Sequence, residues 1–383
     1  MVIIQKLPVV VHQLFFFAAQ LLILKIHGIE YSGSLAFIGA VSTIFAVIIS
    51  LKWDIEIMVS NLKTLPECIL NASITVTLMT IIISFVNFAL GFPVSFLLIL
   101  SGLIIAIHEI LVSILFVQKK IYRYSFARSI PAILLVYLSM IGYSPEVIWP
   151  ASFLFSISIL FFYFGSLFKE AVHMISINKL QNITLSKNIY AALTACFLTF
   201  FSGFFVVIIR YYFDDEYVGL WSNTLRIFNS IFVFVIGGFL PFLLVSFRDQ
   251  PLISEKIKRF FYFWVLFLPF ILLFFFGIEN IGVFTLSKFM VFDFDLTGPH
   301  LSQIFLAGIG ISFISSAQGL YQAINKSLTL LIMIAVTMAA GTLLVLNTVV
   351  SFIAFLQIFL LLTIALSGMI FMHLIYCVVS ESK

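Results

Sequence analysis

Apolar runs of about twenty residues recur along the whole chain, and each is closed by a short polar break. A helix needs ~20 apolar residues to cross the hydrocarbon core of a bilayer. The pattern predicts twelve such helices, near 8–26, 32–52, 69–90, 95–117, 126–143, 147–168, 189–210, 218–245, 259–277, 300–321, 328–347 and 350–378. The last is long enough to tilt or to end early. The expected fold class is an all-α polytopic membrane protein.

Composition agrees with this pattern. Of 383 residues, 63% are hydrophobic and 9% charged, and the mean hydropathy is +1.22. No soluble globular domain is built this way. The first apolar stretch has no small-residue cleavage site and runs into a second span, so no cleavable signal peptide is expected. No stretch outside the spans is long enough for a separate soluble domain. Cys68, Cys196 and Cys377 are single and far apart, which fits neither a disulfide framework nor a zinc site.

The net charge of +4 gains meaning once the bases are placed by loop. Loops after even-numbered spans hold Lys52, Lys63, Lys119, Lys120, Arg123, Lys169, Lys179, Lys187, Arg248, Lys256, Lys258, Arg259 and Lys326. Those after odd-numbered spans hold little beyond Lys25, Arg210 and Lys288, with the acidic run Asp214-Asp215-Glu216 on that side. The positive-inside rule then puts both termini in the cytoplasm. The outer loops are short, which disfavours a polymerase or ligase with its chemistry outside the membrane.

Two stretches repeat. KIHGIEYSGSLAF at 25–37 and RYYFDDEYVGLWS at 210–222 both give a base at a span end, then Glu-Tyr-x-Gly, then the next span. STIFAVII at 42–49 also aligns with NSIFVFVI at 229–236. This places span 2 over span 8. An offset of six helices means that both copies cross in the same direction, a plan known from transporters. The organisation expected is a six-helix lobe over 1–172, a cytoplasmic linker over 173–187 and a second six-helix lobe over 188–383. Generic turn chemistry is the bland alternative.

Polar groups inside the spans are the candidate chemistry. Arg226 lies nine residues after Tyr217, about 13 Å into span 8. A cation at that depth in lipid costs at least ~2.5 kcal/mol. Either it snorkels to the outer interface, toward the acidic run at 214–216, or it faces a polar cavity between lobes. The helical wheel favours the cavity, since Gly219, Ser222, Asn223, Asn229 and Ser230 share its face. The first copy has Gly39 or Ala40 at the equivalent place, so only one lobe adds the base.

His108 and Glu109 lie near the centre of span 4. Both types change charge near neutral pH when buried, which suits ion coupling or a hydrogen bond to substrate. A satisfied polar spot in helix packing is the equal alternative. Neighbouring helix positions point about 100° apart, so Glu109 is preferred for the cavity, and it lies more than two turns from Lys119 and Lys120. Lys25 and Arg210 are interfacial anchors or a cationic rim of the outer mouth. Gln318, with Tyr321 and Gln322, lines a cavity or sits at a boundary where tyrosine is ordinarily an anchor.

No Gly-x-x-x-x-Gly-Lys-Ser/Thr loop, HExxH or GxSxG motif occurs, so transport by ATP hydrolysis in this chain is excluded and no cofactor is expected. A proton or sodium gradient, or the gradient of the substrate itself, would supply the energy. No nucleic-acid partner is expected.

Several stretches resemble polysaccharide flippases. Glu30-Tyr31-Ser32-Gly33 stands where that family has a Pro-Glu-x-(Phe/Tyr)-Gly-like turn, and Leu51-Lys52-Trp53-Asp54-Ile55-Glu56-Ile57 stands at its Leu-Arg-(Tyr/Phe)-Glu/Asp-x-Ala-Ile-like segment. VQKKIYRYSFARS at 117–129 resembles the basic loop between spans 4 and 5. EYVGLWSNTLRIFNSIFVFVIGGFLPFLL at 216–244 resembles span 8, with Arg226 on the family's arginine, and GLYQAINKSLTLL at 319–331 resembles the turn between spans 10 and 11. The chain departs from the family in lacking the proline before span 2 and in carrying Lys52 for the usual arginine.

The resemblance implies a Wzx-type translocase of the multidrug/oligosaccharidyl-lipid/polysaccharide (MOP) exporter superfamily in the bacterial inner membrane. It implies movement of an isoprenoid diphosphate-linked oligosaccharide from the inner to the outer leaflet, with access alternating around a cationic cavity. Partners implied are membrane lipids, a polysaccharide polymerase and glycosyltransferases. Arg226 would hold the diphosphate or an acidic sugar through charge-assisted hydrogen bonds. The rivals are a cation-coupled multidrug exporter of the same architecture and a membrane-embedded polymerase or ligase.

The charge bias makes a direct prediction. A fluorescent protein fused after Lys383 should fluoresce in the cytoplasm, and an alkaline phosphatase fused there should be inactive.

Overall fold

The computed structural model of the chain describes residues 2–59, 65–89, 95–118, 120–173, 190, 193–199, 201, 206, 209, 212–213, 217–219, 221–222, 243, 246–247, 250–266, 268–269, 298–348 and 351–381. No strand occurs among the described residues. A bilayer cannot hydrogen-bond the backbone, so helices that satisfy their own amides are the outcome the apolar runs dictate.

The first two predicted spans form one element, α1 (Val2–Ser50), broken at Gly28 with φ 82° and ψ −176°. A Cβ at Gly28 would meet nothing within 4 Å, so the dihedral, not space, calls for glycine. Glu30-Tyr31-Ser32-Gly33 is therefore not a turn but the first helical residues after the break. Tyr217–Gly219 of the second copy is likewise helical. In both copies the tyrosine meets the ring four residues before it: His27 stacks on Tyr31 with centroids 4.4 Å apart, and Phe213 meets Tyr217 at 5.4 Å. A Cβ on Gly219 would overlap the carbonyl oxygen of Ile29, so the two copies touch at their beginnings. The Tyr31 hydroxyl also donates to the Tyr143 carbonyl at 2.8 Å.

At the other end of α1, Leu51 (φ 43°) and Lys52 (φ 57°) are left-handed. That conformation costs roughly 1–2 kcal/mol per residue outside glycine. Its result is a sharp exit into α2 (Trp53–Val59), a short helix that the apolar pattern does not predict. The indole of Trp53 donates to Thr75 Oγ1 at 3.0 Å, and both side chains are buried. Next come α3 (Leu65–Ala89), α4 (Phe96–Val117), α5 (Ile121–Met140) and α6 (Pro145–His173). Ser95 caps α4, its hydroxyl accepting from the Leu97 amide at 3.3 Å. Pro131 lies inside α5, which runs unbroken past it.

Helix α4 is the hub. It packs against α1, α2, α3, α5 and α6, and most of its residues are buried. Gly102 permits the closest approach, because a Cβ there would fall on Phe45 Cβ and on the Ala46 amide nitrogen at 3.0 Å.

The C-terminal described helices are α7 (253–266), α8 (Gly298–Ala323), α9 (Ser327–Thr348) and α10 (Phe352–Glu381). The last predicted span does not end early but continues for 30 residues. Small residues seat α10: Gly310 of α8 lies against Thr363, and Gly341 of α9 against Leu362. The Glu381 carboxylate accepts from the amides of Ile253 and Ser254 at the start of α7, where the helix dipole favours an anion. Among the described residues, six segments within α1, α3, α4, α6, α9 and α10 are long and apolar enough to cross a membrane.

Contacts divide the chain into two compact units, 1–223 with 237–241, and 224–236 with 242–383. Apart from His173, the predicted linker at 173–187 lies outside the described residues.

Two glycines test this packing. Gly102→Ala should cost about 1–3 kcal/mol through overpacking. Gly28→Ala should cost about 1–3 kcal/mol, because its positive φ with extended ψ is a region essentially confined to glycine. Thermal unfolding of the purified protein in detergent measures both.

Candidate functional site

Helices α4 and α5 form a tight hairpin, since only Gln118, Lys119 and Lys120 separate them. Glu109 lies nine residues before Gln118 and Arg128 nine after Lys119, so a close antiparallel return brings them level. At 1.5 Å per residue they sit about 14 Å from the turn. The Arg128 guanidinium donates to Glu109 Oε2, and the two groups form an ion pair. Their side chains remain 23% and 28% exposed, so the pair has an open side.

The surroundings complete a polar cluster within the apolar pack. Tyr124, one turn before Arg128 and fully buried, presents its ring 5.6 Å from the guanidinium carbon, within the range of a cation–π contact. His108 is 1% exposed, and its Nε2 hydrogen-bonds Ser156 Oγ of α6 at 3.0 Å. Its Nδ1 lies 3.8 Å from Glu109 Oε1 and has no hydrogen-bond partner. The Phe153 ring meets the imidazole edge-on at 5.2 Å. Ser113 donates to the Glu109 carbonyl at 2.8 Å. Asp54 of α2 is within electrostatic range of Arg128 and Tyr124, and is itself paired with Lys52 at 3.6 Å.

Among the residues singled out from sequence, His108 and Glu109 thus come together with Arg128. Lys25 is exposed on α1, three residues before the Gly28 break. Ser222 is buried and donates to its own helix at the Val218 carbonyl. Gln318 on α8 has a buried amide nitrogen without a hydrogen-bond partner. Arg226, Asn223, Asn229 and Arg210 lie outside the described residues. Of the two readings of Tyr321, the structure excludes the interfacial anchor: its side chain is fully buried, with the hydroxyl 2.8 Å from His373 Nδ1. Among the described residues, no group of three or more His, Cys, Asp or Glu is placed to hold a metal.

Sequence reasoning missed Arg128, Tyr124 and Ser156. Arg128 was legible in principle: it lies inside the span predicted over 126–143, at the same distance from the 118–119 junction as Glu109. The run of bases from Lys119 to Arg123 gives the stretch 117–129 the character of a loop, which conceals Arg128.

No family model and no curated protein sequence matches the chain. Solved structures do. The MATE multidrug transporter DinF-BH is similar with a TM-score of 0.68 at 12% identity, over 97% of this chain and 94% of that one. A MATE structure in complex with MaL6 gives 0.65 at 14% identity, over 99% and 96%. A MOP superfamily transporter from Pyrococcus furiosus gives 0.65 at 12% identity, also over 99% and 96%. The chain has the all-helical fold of the MATE and MOP-superfamily transporters.

The ion pair predicts non-additive variants. Glu109→Gln or Arg128→Gln alone strands a charge among helices and should cost about 3–5 kcal/mol. The double variant should recover most of that loss, and a double-mutant cycle on thermal unfolding reads the coupling.

Proposed function

We propose that this protein is a flippase that carries an isoprenoid diphosphate-linked oligosaccharide from the cytoplasmic to the outer leaflet of a bacterial inner membrane by alternating access. The observation that carries this reading is the polarity of the first unit. Among the described residues, the buried Asp54 is matched by Lys52, and Glu109 near the middle of α4 by Arg128. An exporter of cationic drugs needs an uncompensated acid within its spans. A carrier of an anionic head group needs cations, and the sequence predicts Arg226 within span 8 on a small and polar helix face.

Fold likeness agrees with a transporter, and the local motifs around Glu30, Lys52 and Arg226 point to lipid-linked sugars. Of the Pyrococcus furiosus transporter it is said that reverse polarity of the binding pocket suggests a different function. The same scaffold thus accommodates pockets of different charge. On this reading the polymerase and glycosyltransferases that make and use the lipid-linked unit are its working partners. A proton or sodium ion is the candidate driving ion, and both termini lie in the cytoplasm.

A second reading, a cation-coupled multidrug exporter, is favoured by the solved neighbours, which include a MATE multidrug transporter. One experiment separates them. Arg226→Ala, inserted at normal levels, should abolish or strongly reduce surface polysaccharide and leave drug sensitivity unchanged. Full polysaccharide display by that variant would remove Arg226 from the mechanism. A drug-resistance phenotype without a change in polysaccharide would establish the exporter instead.

A further inference from the structure

The Glu109–Arg128 pair has a feature that a purely structural pair does not need. Its partners around it are well enclosed: His108 is 1% exposed, Tyr124 is fully buried, and Ser156 holds the imidazole from α6. Yet about a quarter of each charged side chain is open. A permanent guanidinium some 14 Å along the helices from the turn costs at least ~2.5 kcal/mol against hydrocarbon, which favours an open side that faces a polar medium. A soluble ligand or a head group can reach it there.

The chemistry of that opening is specific. Arg128 presents a planar donor fork suited to carboxylate or phosphate oxygens, and one carboxylate already occupies part of it. A second anion approaching the same fork meets Glu109 as a competitor of like charge. The charged and titratable groups around the pair are His108 on α4, Tyr124 on α5, Asp54 on α2 and Lys52 at the α1–α2 turn, with Lys52 matched to Asp54. Of the bases among them only His108 reaches Glu109, with Nδ1 3.8 Å from Oε1, and it offers a counter-charge only when it is itself protonated. An anion that takes the guanidinium therefore leaves the carboxylate without its permanent counter-charge. A proton is the simplest replacement.

We infer that Arg128 is an anion-binding group released by protonation of Glu109: a phosphate or diphosphate oxygen takes the guanidinium as the carboxylate takes a proton. This rests on the reading of the cargo head group as anionic, and it adds a second cationic contact in the first unit, with a stated coupling. The exchange is balanced. Glu109 gains one proton, Arg128 keeps its charge, and the incoming anion replaces the charge that the carboxylate loses. Linkage makes the effect reciprocal, so an anion draws a proton in and a proton favours the anion.

Calorimetry on the full chain in phosphatidylcholine nanodiscs tests it, with inorganic pyrophosphate and farnesyl diphosphate as probes. Each titration is run in two buffers of different ionisation enthalpy, so that proton uptake is counted directly. Wild type should take up about one proton more per probe bound than Glu109→Gln, a difference that removes the probe's own protonation. Glu109→Gln should bind on the order of tenfold more tightly, and Arg128→Gln on the order of tenfold more weakly. Arg128→Lys keeps the charge and should retain the proton uptake. The Glu109→Gln/Arg128→Gln double variant, which strands no charge, should stay folded and fail to bind.

Equal proton uptake in wild type and Glu109→Gln would overturn the inference. So would undiminished binding by the folded double variant, or loss of the uptake in His108→Gln with retention in Glu109→Gln. Tighter binding of farnesyl diphosphate than of pyrophosphate assigns the site to a lipid-linked head group, and equal binding assigns it to a soluble anion. If the probes behave as expected while the protein confers drug resistance without a change in polysaccharide, the site stands and the flippase reading falls. If display depends on Arg226 but the probes ignore Arg128, the flippase reading stands and this inference falls.

Discussion

A carboxylate and a guanidinium within the spans of a membrane protein persist only if each supplies the other's counter-charge. That constraint organises the first unit. Glu109 and Arg128 meet because α4 and α5 return on one another after three residues. The close return forces α5 to run beside α4 over the length between the turn and the pair. Around it, α6 contributes Ser156 and Phe153 to His108, and α2 brings Asp54 within range. The helix that packs on α1, α2, α3, α5 and α6 is thus also the one that carries Glu109, the acid of the ion pair. Breaking the ion pair would leave a charge that no nearby apolar side chain could answer.

Two levels of the structure support this arrangement. Glycines let the helix backbones approach, as at Gly102 against Phe45 and at Gly219 against Ile29. Dispersion and close packing replace the hydrophobic driving force that lipid does not supply. Side-chain hydroxyls then satisfy carbonyls within their own helices, as Ser113 does at Glu109 and Thr43 at Gly39. Polar residues inside the spans are therefore of two kinds. Most serines and threonines are locally satisfied and carry no message about substrate. The ionised groups are not locally satisfied, and their partners reveal how the site is charged.

That distinction explains what was legible beforehand. The apolar runs place α3, α4, α6, α8, α9 and α10 within a few residues of their observed bounds. Gly28 breaks the first long run where the polar interruption lies, although the Glu-Tyr-x-Gly that follows is helix and not turn. The short α2 was not legible, because its start depends on two left-handed residues, Leu51 and Lys52, whose identities do not announce that conformation. Tyr321 stayed open between two readings because a tyrosine near a span end is ordinarily interfacial, whereas its hydroxyl is held inside by His373 on α10. Of the candidate site, His108 and Glu109 stood out as polar, titratable residue types in an apolar run. Arg128 did not, because it follows a basic stretch that looks like solvent-facing loop.

By itself, the sequence determined that this chain is helical and membrane-embedded, since its hydrophobic runs leave the backbone no other way to be satisfied in lipid. It also determined that charge would occur inside the spans, because no reading of 104–115 avoids His108 and Glu109. Only the tertiary structure decided which charge answers which. Pairing depends on the angle and register at which two helices meet, and those are set by the turn at 118–120 and by the packing of α4 against five neighbours. Hydropathy records how deep a residue can lie, but the partner across the helix interface is a property of the fold.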